Sequence, residues 1–202
     1  MLDARRGGSF AEWSSGEENG AGPVPVPARP ASLRRRILYA TPEMADFVKT
    51  GGLGEVSAAL PRALVPHYDI RVLIPGYRQV RAAFPEIPVV ARLEGFAGIP
   101  ACDLGLVEAA DGLRIYVLLS PDLYERGVSP YGDQHGDFGD NDLRFARLSL
   151  AAADLATGAD PDWAADLLHL NDWQAALAPA YLAWRGRRVP SVLTIHNLAY
   201  QG

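Results

Sequence analysis

Short apolar runs that alternate with helical patterns are the feature that most constrains the fold of this chain. Four runs have the length and composition of strands buried in a parallel sheet: residues 37–40, 69–74, 167–170 and 189–195. Between them lie three stretches with the signals of helices: residues 56–65, 140–157 and 172–184. Because strands interleave with helices, we predict an α/β fold with a Rossmann-like, doubly wound parallel sheet.

More specific predictions concern residues 89–139 and residues 172–184. Residues 89–119 hold three extended segments, and the turn signal Asp111-Gly112 between the last two predicts a hairpin. Residues 121–139 are polar and glycine-rich, so we predict a loop. Apolar residues recur at helical spacing throughout residues 172–184, which predicts one continuous helix packed on the sheet.

Residues 1–32 differ in composition from the rest of the chain. They are rich in Gly, Pro, Ser, Glu and Arg, so they bury too little apolar surface to offset the entropy lost on folding. We therefore predict a disordered extension over residues 1–32 and one folded domain over residues 33–202.

Charge and cysteine content exclude several classes of protein. The formal net charge is −5 and no basic stripe is visible, which argues against nucleic acid as the main partner. Cys102 is the one cysteine of the chain, so it can form no internal disulfide and a cytoplasmic setting is favoured. No apolar run approaches the roughly 18 residues of a membrane-spanning helix, so we expect no membrane partner.

A glycine-rich segment, residues 49–56 (KTGGLGEV), follows the first predicted strand and precedes the first helix. Glycines let backbone N–H groups approach a ligand closely, and a helix N-terminus attracts anions. The segment therefore indicates a site for a phosphorylated ligand, with a purely structural turn as the alternative. A P-loop would need Lys49 after the last glycine, and a dinucleotide fingerprint would need glycine instead of Ser57. Asp69 begins the second strand instead of ending it, which also disfavours NAD.

Polar residues follow two further strands at the edge where parallel sheets bind ligands. Asn171 and Asp172 follow the third apolar run, and His196 comes directly after the last. Asp172 and His196 each have a structural alternative, since Asp172 suits a helix N-cap and His196 an ordinary loop. His169 lies within the third run, where a hydrogen-bonded core histidine is equally consistent with the pattern. No cysteine and histidine cluster has zinc spacing, so we predict no metal site.

Five motifs, in this order and spacing, resemble the bacterial glycogen synthase and plant starch synthase family. They are residues 49–56 (KTGGLGEV), 124–131 (YERGVSPY), 140–145 (DNDLRF), 169–173 (HLNDW) and 194–202 (TIHNLAYQG). The resemblance implies a B-type glycosyltransferase with two Rossmann-like domains, of which this chain is the N-terminal one. It implies retaining transfer of glucose from ADP-glucose to the non-reducing end of an α-1,4-glucan such as glycogen, without a metal ion or other cofactor.

The resemblance also assigns roles to residues by motif position. Lys49 matches the ADP-glucose-binding lysine, and the amides of Gly51 and Gly52 would face the diphosphate. His196 would lie near the donor sugar with Asn197 beside it. The catalytic residues implied are His196, Asp172 and Glu55, and the residues of the acceptor cleft are Tyr131, Asp140, Asn141 and His169.

The sequence departs from the family pattern at three positions. Glu55 stands where the family often has Asp, and Asn171 and Gln174 stand where it has histidine. Asn and Gln hydrogen-bond but do not titrate near neutral pH, which leaves a binding role and puts proton transfer there in doubt. The second domain of the family is absent from these residues, so we expect negligible activity from the chain alone. A transferase for another sugar nucleotide and a non-catalytic glucan-binding or regulatory module remain alternatives.

Overall fold

A computed structural model describes residues 34–198 of the chain. The extension predicted for residues 1–32 lies outside the described residues, as do residues 199–202 at the end of the last motif.

The secondary structure alternates as the apolar runs predict. The strands are β1 Arg36–Ala40, β2 Asp69–Pro75, β3 Val89–Leu93, β4 Cys102–Glu108, β5 Arg114–Leu119, β6 Gly132–Asp133, β7 Gly136–Asp137, β8 Leu167–Asn171 and β9 Ser191–Thr194. The helices are α1 Gly52–Leu64, α2 Arg78–Ala83, α3 Pro121–Tyr124, α4 Asn141–Ala156, α5 Asp172–Ala175 and α6 Ala178–Trp184.

Seven strands form one sheet in the order β3-β4-β5-β2-β1-β8-β9. Strands β5, β2, β1, β8 and β9 are parallel, and β1 pairs with β2 on one side and β8 on the other. Across the sheet, β2 and β5 lie on one side of β1, and the chain then crosses back to place β8 on the other side. Right-handed crossovers therefore place α1 and α4 on opposite faces. This doubly wound arrangement confirms the predicted α/β fold.

Strand β1 is the centre of the core because both of its neighbours and both faces of the sheet cover it. Leu38, Tyr39 and Ala40 are fully buried. In the register, Tyr39 lies opposite Val72 of β2 and His169 of β8. A strand buried on two faces reads as a continuous apolar run, which is why the sequence predicts it well.

The hairpin predicted around Asp111-Gly112 is confirmed. Strands β4 and β5 pair antiparallel, and β3 adds a further antiparallel strand at the edge of the sheet. Gly112 has φ of +84°, a conformation that costs glycine little and other residues more. The predicted loop over residues 121–139 is only partly correct, since it also contains the short helix α3 and the β6-β7 pair.

The prediction of one continuous helix over residues 172–184 is wrong. The chain forms α5 and α6 instead, and Pro179 lies in the first turn of α6. Proline has no N–H to donate within a helix and its ring clashes with the preceding turn, so it favours a new start. The predicted apolar stripe is broken as a result, and Trp184 at its end is 78% exposed.

Candidate active site

A cleft of about 540 Å³ opens at the carboxyl ends of β1 and β8, where the strand order reverses. The sequence analysis placed ligand-binding loops at this edge of the sheet. The cleft is lined by these residues that the sequence singles out: Gly51, Gly52, Tyr131, Asp172, His196 and Asn197. The structure thus brings four separate segments of the chain to one site.

The glycine-rich segment forms the start of α1, which begins four residues earlier than predicted, at Gly52. Gly51 is the N-cap residue, and no side chain caps the helix. Gly51, Gly52 and Leu53 all line the cleft. An uncapped helix N-terminus presents N–H groups and a partial positive charge, so this wall of the cleft suits an anionic ligand.

Lys49 and Glu55 form an ion pair beside the cleft and do not line it. Both side chains are about half exposed. The lysine stem crosses Gly54 so closely that a Cβ atom there would lie 3.1 Å from Lys49 Cγ. Glycine at this position therefore allows Lys49 to lie along the first turn of α1, with Glu55 as its partner.

Glu43 is a cleft residue that the sequence analysis missed. It is 4% exposed, and its Oε2 accepts the backbone N–H groups of Thr50 at 2.7 Å and Gly51 at 3.3 Å. Its Oε1 accepts the hydroxyl of Tyr131 at 2.5 Å. Its position three residues after β1, at the edge of the sheet where ligands bind, is the sequence feature that could have identified it.

Tyr131 reaches the cleft from the segment between α3 and α4. Burial, followed by the nearby carboxylate of Glu43, raises the pKa of Tyr131 far above its usual value. The hydroxyl therefore stays protonated and donates its hydrogen bond to Glu43. Asn141 holds this position, because its Nδ2 donates to the Tyr131 carbonyl at 2.7 Å.

Asp172 has a strained backbone, with φ of +53°. Its Oδ1 accepts the backbone N–H of His196 at 2.6 Å, which ties the loop after β8 to the loop after β9. Asn171, not Asp172, is the N-cap of α5, so the N-cap alternative for Asp172 is wrong. Strained residues of this kind occur often at functional sites.

His196 lies between Asp172 and Asn171. Its Nε2 is 3.0 Å from Asn171 Oδ1, while Asn171 Nδ2 donates to the Ala40 carbonyl at 2.9 Å. The fully buried Asn171 thus links His196 to the end of β1. An asparagine at this position orients the imidazole without exchanging a proton with it.

A family model described as the starch synthase catalytic domain matches residues 36–202. The chain belongs to this family. Glycogen synthase of Pseudomonas fluorescens is 55% identical over 189 residues, which cover 89% of this chain and 36% of that protein. Glycogen synthase 1 of Bradyrhizobium diazoefficiens is 60% identical over 161 residues, covering 79% of this chain and 35% of that protein. The chain therefore spans about a third of the length of these relatives.

A solved structure of the same family has a similar fold. The catalytic domain of starch synthase IV from Arabidopsis thaliana, bound to ADP and acarbose, gives a TM-score of 0.63 at 25% sequence identity. The match covers 83% of this chain and 35% of that one. The resemblance to glycogen and starch synthases inferred from five motifs is thus confirmed.

The remaining residues that the family resemblance singles out lie around the cleft without lining it. His169 is half-buried in the sheet, with Nε2 2.8 Å from Thr194 Oγ1 and its ring edge-on to Tyr39. Burial, followed by the charge of His196, lowers the pKa of His169. Asp140 is the N-cap residue of α4, and its carboxylate pairs with Arg126.

Arg144 of α4 fixes the segment that carries Tyr131. It is fully buried and donates to the carbonyls of Leu123 and Pro130, both at 2.7 Å, and to Asn141 Oδ1 at 2.6 Å. Its guanidinium also stacks 4.7 Å from the centroid of Phe138. Burial lowers the pKa of Arg144. One buried side chain thereby ties both ends of the segment to α4.

Residues 34–198 hold neither a metal-binding cluster nor a membrane-spanning helix. In this part of the chain no group of three or more His, Cys, Asp and Glu side chains could hold a metal ion. No helix among these residues is long and apolar enough to cross a membrane.

Proposed function

We propose that the protein containing this chain transfers glucose from ADP-glucose to the non-reducing end of an α-1,4-glucan, with retention at the anomeric carbon. The observation that carries the proposal is the uncapped N-terminus of α1, which opens into the same cleft as Asp172 and His196. Family membership supports the reaction class, and the ADP bound to the structural neighbour supports the nucleotide.

The start of α1 at Gly52 and Leu53 takes the diphosphate in this proposal, since the N–H of Gly51 already donates to Glu43. Departure of ADP leaves negative charge on the diphosphate, and fixed N–H donors at a helix N-terminus stabilise that charge as it develops. Lys49 supplies a full positive charge once the diphosphate competes with Glu55 for its ammonium group. Lys49 acts through this charge and transfers no proton.

The opposite wall holds the sugars. His196 and Asn197 provide polar groups beside the transferred glucose, and Tyr131 and Asp172 line the side on which the acceptor enters. Hydrogen bonds to sugar hydroxyls orient the anomeric carbon and strengthen as it gains oxocarbenium character. The two substrates therefore meet between the carboxyl ends of β1 and β8.

Three further parts of the proposal are a second domain, transfer without a cofactor, and a cytoplasmic setting. A second Rossmann-like domain closes over the donor, consistent with relatives of which this chain covers 35–36%. Transfer needs no metal ion or other cofactor, because the protein supplies the charges that the diphosphate requires. The cytoplasm is the proposed setting, since Cys102 is buried and can form no disulfide within the chain.

The test is a glucan-elongation assay with the full-length protein and ADP-, UDP- and GDP-glucose as competing donors. We expect ADP-glucose to be preferred, chelator to leave the rate unchanged, and residues 1–202 alone to be inactive. Lys49→Ala should raise the donor KM at least tenfold, about 1.4 kcal/mol, through the lost charge contact. Preference for UDP- or GDP-glucose would reassign the donor, and glucan binding without turnover would support a non-catalytic module.

A further inference from the structure

Glu43 lies between the two walls of the cleft. It follows β1 by three residues, and it is almost completely buried although it lines the cleft. On one side is the glycine-rich segment before α1, and on the other is Tyr131. The carboxylate of Glu43 therefore contacts both walls at the surface of the cleft.

Both carboxylate oxygens of Glu43 already accept hydrogen bonds. Oε2 accepts two backbone N–H groups, from Thr50 and Gly51, and Oε1 accepts the hydroxyl of Tyr131. A carboxylate that accepts backbone N–H groups fixes the backbone that donates them. Here it fixes the two residues immediately before α1, so it sets where the first amides of the helix point.

The backbone of Glu43 is itself held in place. Thr41 Oγ1 donates to the Glu43 carbonyl at 2.8 Å and lies 2.9 Å from the hydroxyl of Ser57 in α1. Tyr39 of β1 lies 3.3 Å from the same Ser57 hydroxyl. This buried chain of hydroxyls connects β1, Glu43 and α1, so the carboxylate is aimed before any ligand arrives.

We propose that Glu43 is a positioning residue that fixes the glycine-rich segment and Tyr131 to each other, so that donor and acceptor walls form one rigid surface. The substrate identities rest on the proposed function, but the contacts do not.

The geometry predicts an order for substitutions at Glu43. In Glu43→Gln the side chain keeps its length, its oxygen still accepts Thr50 N–H, and its NH₂ group donates to the Tyr131 oxygen. In Glu43→Asp the side chain is one methylene shorter and cannot span both walls. In Glu43→Ala every contact is lost. A positioning role therefore predicts rescue by Gln, whereas a role for the charge predicts none.

The kinetic test uses the full-length protein. We expect Glu43→Ala to raise the donor KM about tenfold, Glu43→Asp to give an intermediate value, and Glu43→Gln to change it less than about threefold. The change in kcat should be smaller than the change in KM in each variant. Glu108→Ala is the matched control, since Glu108 forms an exposed ion pair with Arg114 at the end of the β4-β5 hairpin.

A second measurement needs no substrate. Hydrogen exchange of peptides covering residues 43–54 should be about tenfold faster in Glu43→Ala than in the wild type, and nearly unchanged in Glu43→Gln. If Glu43→Ala does not fold, Glu43→Asp provides the same comparison. A wild type without transfer activity would refute the proposed function, while the exchange rates would still decide the role of Glu43.

Two results would overturn the positioning role. One is equal loss of turnover in Glu43→Gln and Glu43→Ala with exchange unchanged in both, which would assign the role to the charge. The other is wild-type exchange and wild-type donor KM in Glu43→Ala, which would show that other contacts hold the two walls.

Discussion

The buried Tyr116 and the partly buried Tyr131 each donate a hydrogen bond to a carboxylate, and they lie toward opposite ends of the sheet. Tyr116 donates to Asp160 Oδ2 at 2.5 Å toward the amino ends of the parallel strands, and Tyr131 donates to Glu43 Oε1 at 2.5 Å at the carboxyl ends. Burial is the first cause that raises the pKa of both hydroxyls far above the usual value. The two contacts are therefore alike in geometry and protonation.

Their surroundings differ. Asp160 also faces the guanidinium of Arg71 at 3.3 Å, and Trp163 covers that guanidinium with its centroid at 4.7 Å. Both carboxylates also accept backbone N–H groups, Asp160 from Asp162 and Glu43 from Thr50 and Gly51, but only Glu43 of the two lines an open cleft. A carboxylate enclosed with a cation stabilises the fold, whereas one that holds backbone amides beside a cleft shapes a binding site. The hydrogen bond from tyrosine to carboxylate is the same in both places, so it does not by itself tell which carboxylate stabilises the fold and which lies at a binding site.

Asp160→Ala should have the largest effect on folding. Arg71 would remain buried, with the Tyr116 hydroxyl at 2.5 Å and Asp69 as the remaining carboxylate at 4.0 Å. An uncompensated buried charge costs several kcal/mol, so we expect the free energy of unfolding to fall by about 3 kcal/mol. Urea denaturation of the chain measures this, with Glu108→Ala as an exposed-pair control that changes it by less than about 1 kcal/mol. Equal effects in the two variants would show that the enclosed pair of Asp160 and Arg71 stabilises the fold no more than an exposed ion pair.

Paired substitutions of the tyrosines sharpen the comparison. Tyr116→Phe should lower the free energy of unfolding by about 2 kcal/mol and leave the donor KM unchanged, because it removes a hydrogen bond in an enclosed site. Tyr131→Phe should cost about 1 kcal/mol, since water in the cleft can replace the lost donor, and should raise the donor KM severalfold. A rise in KM for Tyr116→Phe would mean that the two ends of the sheet are coupled.

The smallest expected effect is the change with pH in the free energy of unfolding that His169 of β8 contributes. Its pKa is lowered in the folded state by burial, so the unfolded chain binds a proton more readily. This contribution to stability is complete above the unfolded pKa of about 6.5 and is lost as pH falls toward the folded pKa. His169→Gln should flatten this part of the stability profile, as measured by urea denaturation from pH 7.5 to 5. An unchanged slope would assign it to other groups.

The sequence predicts well those features that are set by neighbouring residues. Strand β1, strand β8 and the turn at Gly112 all follow from runs of a few residues. The cleft also follows, because the carboxyl ends of parallel strands must meet where their order reverses. Pro179 is a local signal too. The apolar spacing predicts one continuous helix, but proline lacks the N–H that such a helix needs, so the chain starts a new helix there.

Features that depend on distant contacts could not be predicted in the same way. Glu43 meets Tyr131 across 88 positions of sequence, and Asn141 turns its side chain to the Tyr131 carbonyl instead of the cleft. Both contacts require the path of the segment between α3 and α4, which Arg144 sets by binding its carbonyls. The motif shared with the family marks these positions without indicating which way their side chains point.

The left-handed backbone of Asp172 has a consequence for how this site can change over evolutionary time. A residue other than glycine in that conformation costs about 1–2 kcal/mol, so glycine would make the loop after β8 more stable. Glycine would also remove the oxygen that holds the amide of His196. The backbone conformation and the contact to His196 thus favour different residues at this position, and the sequence keeps the one that preserves the contact.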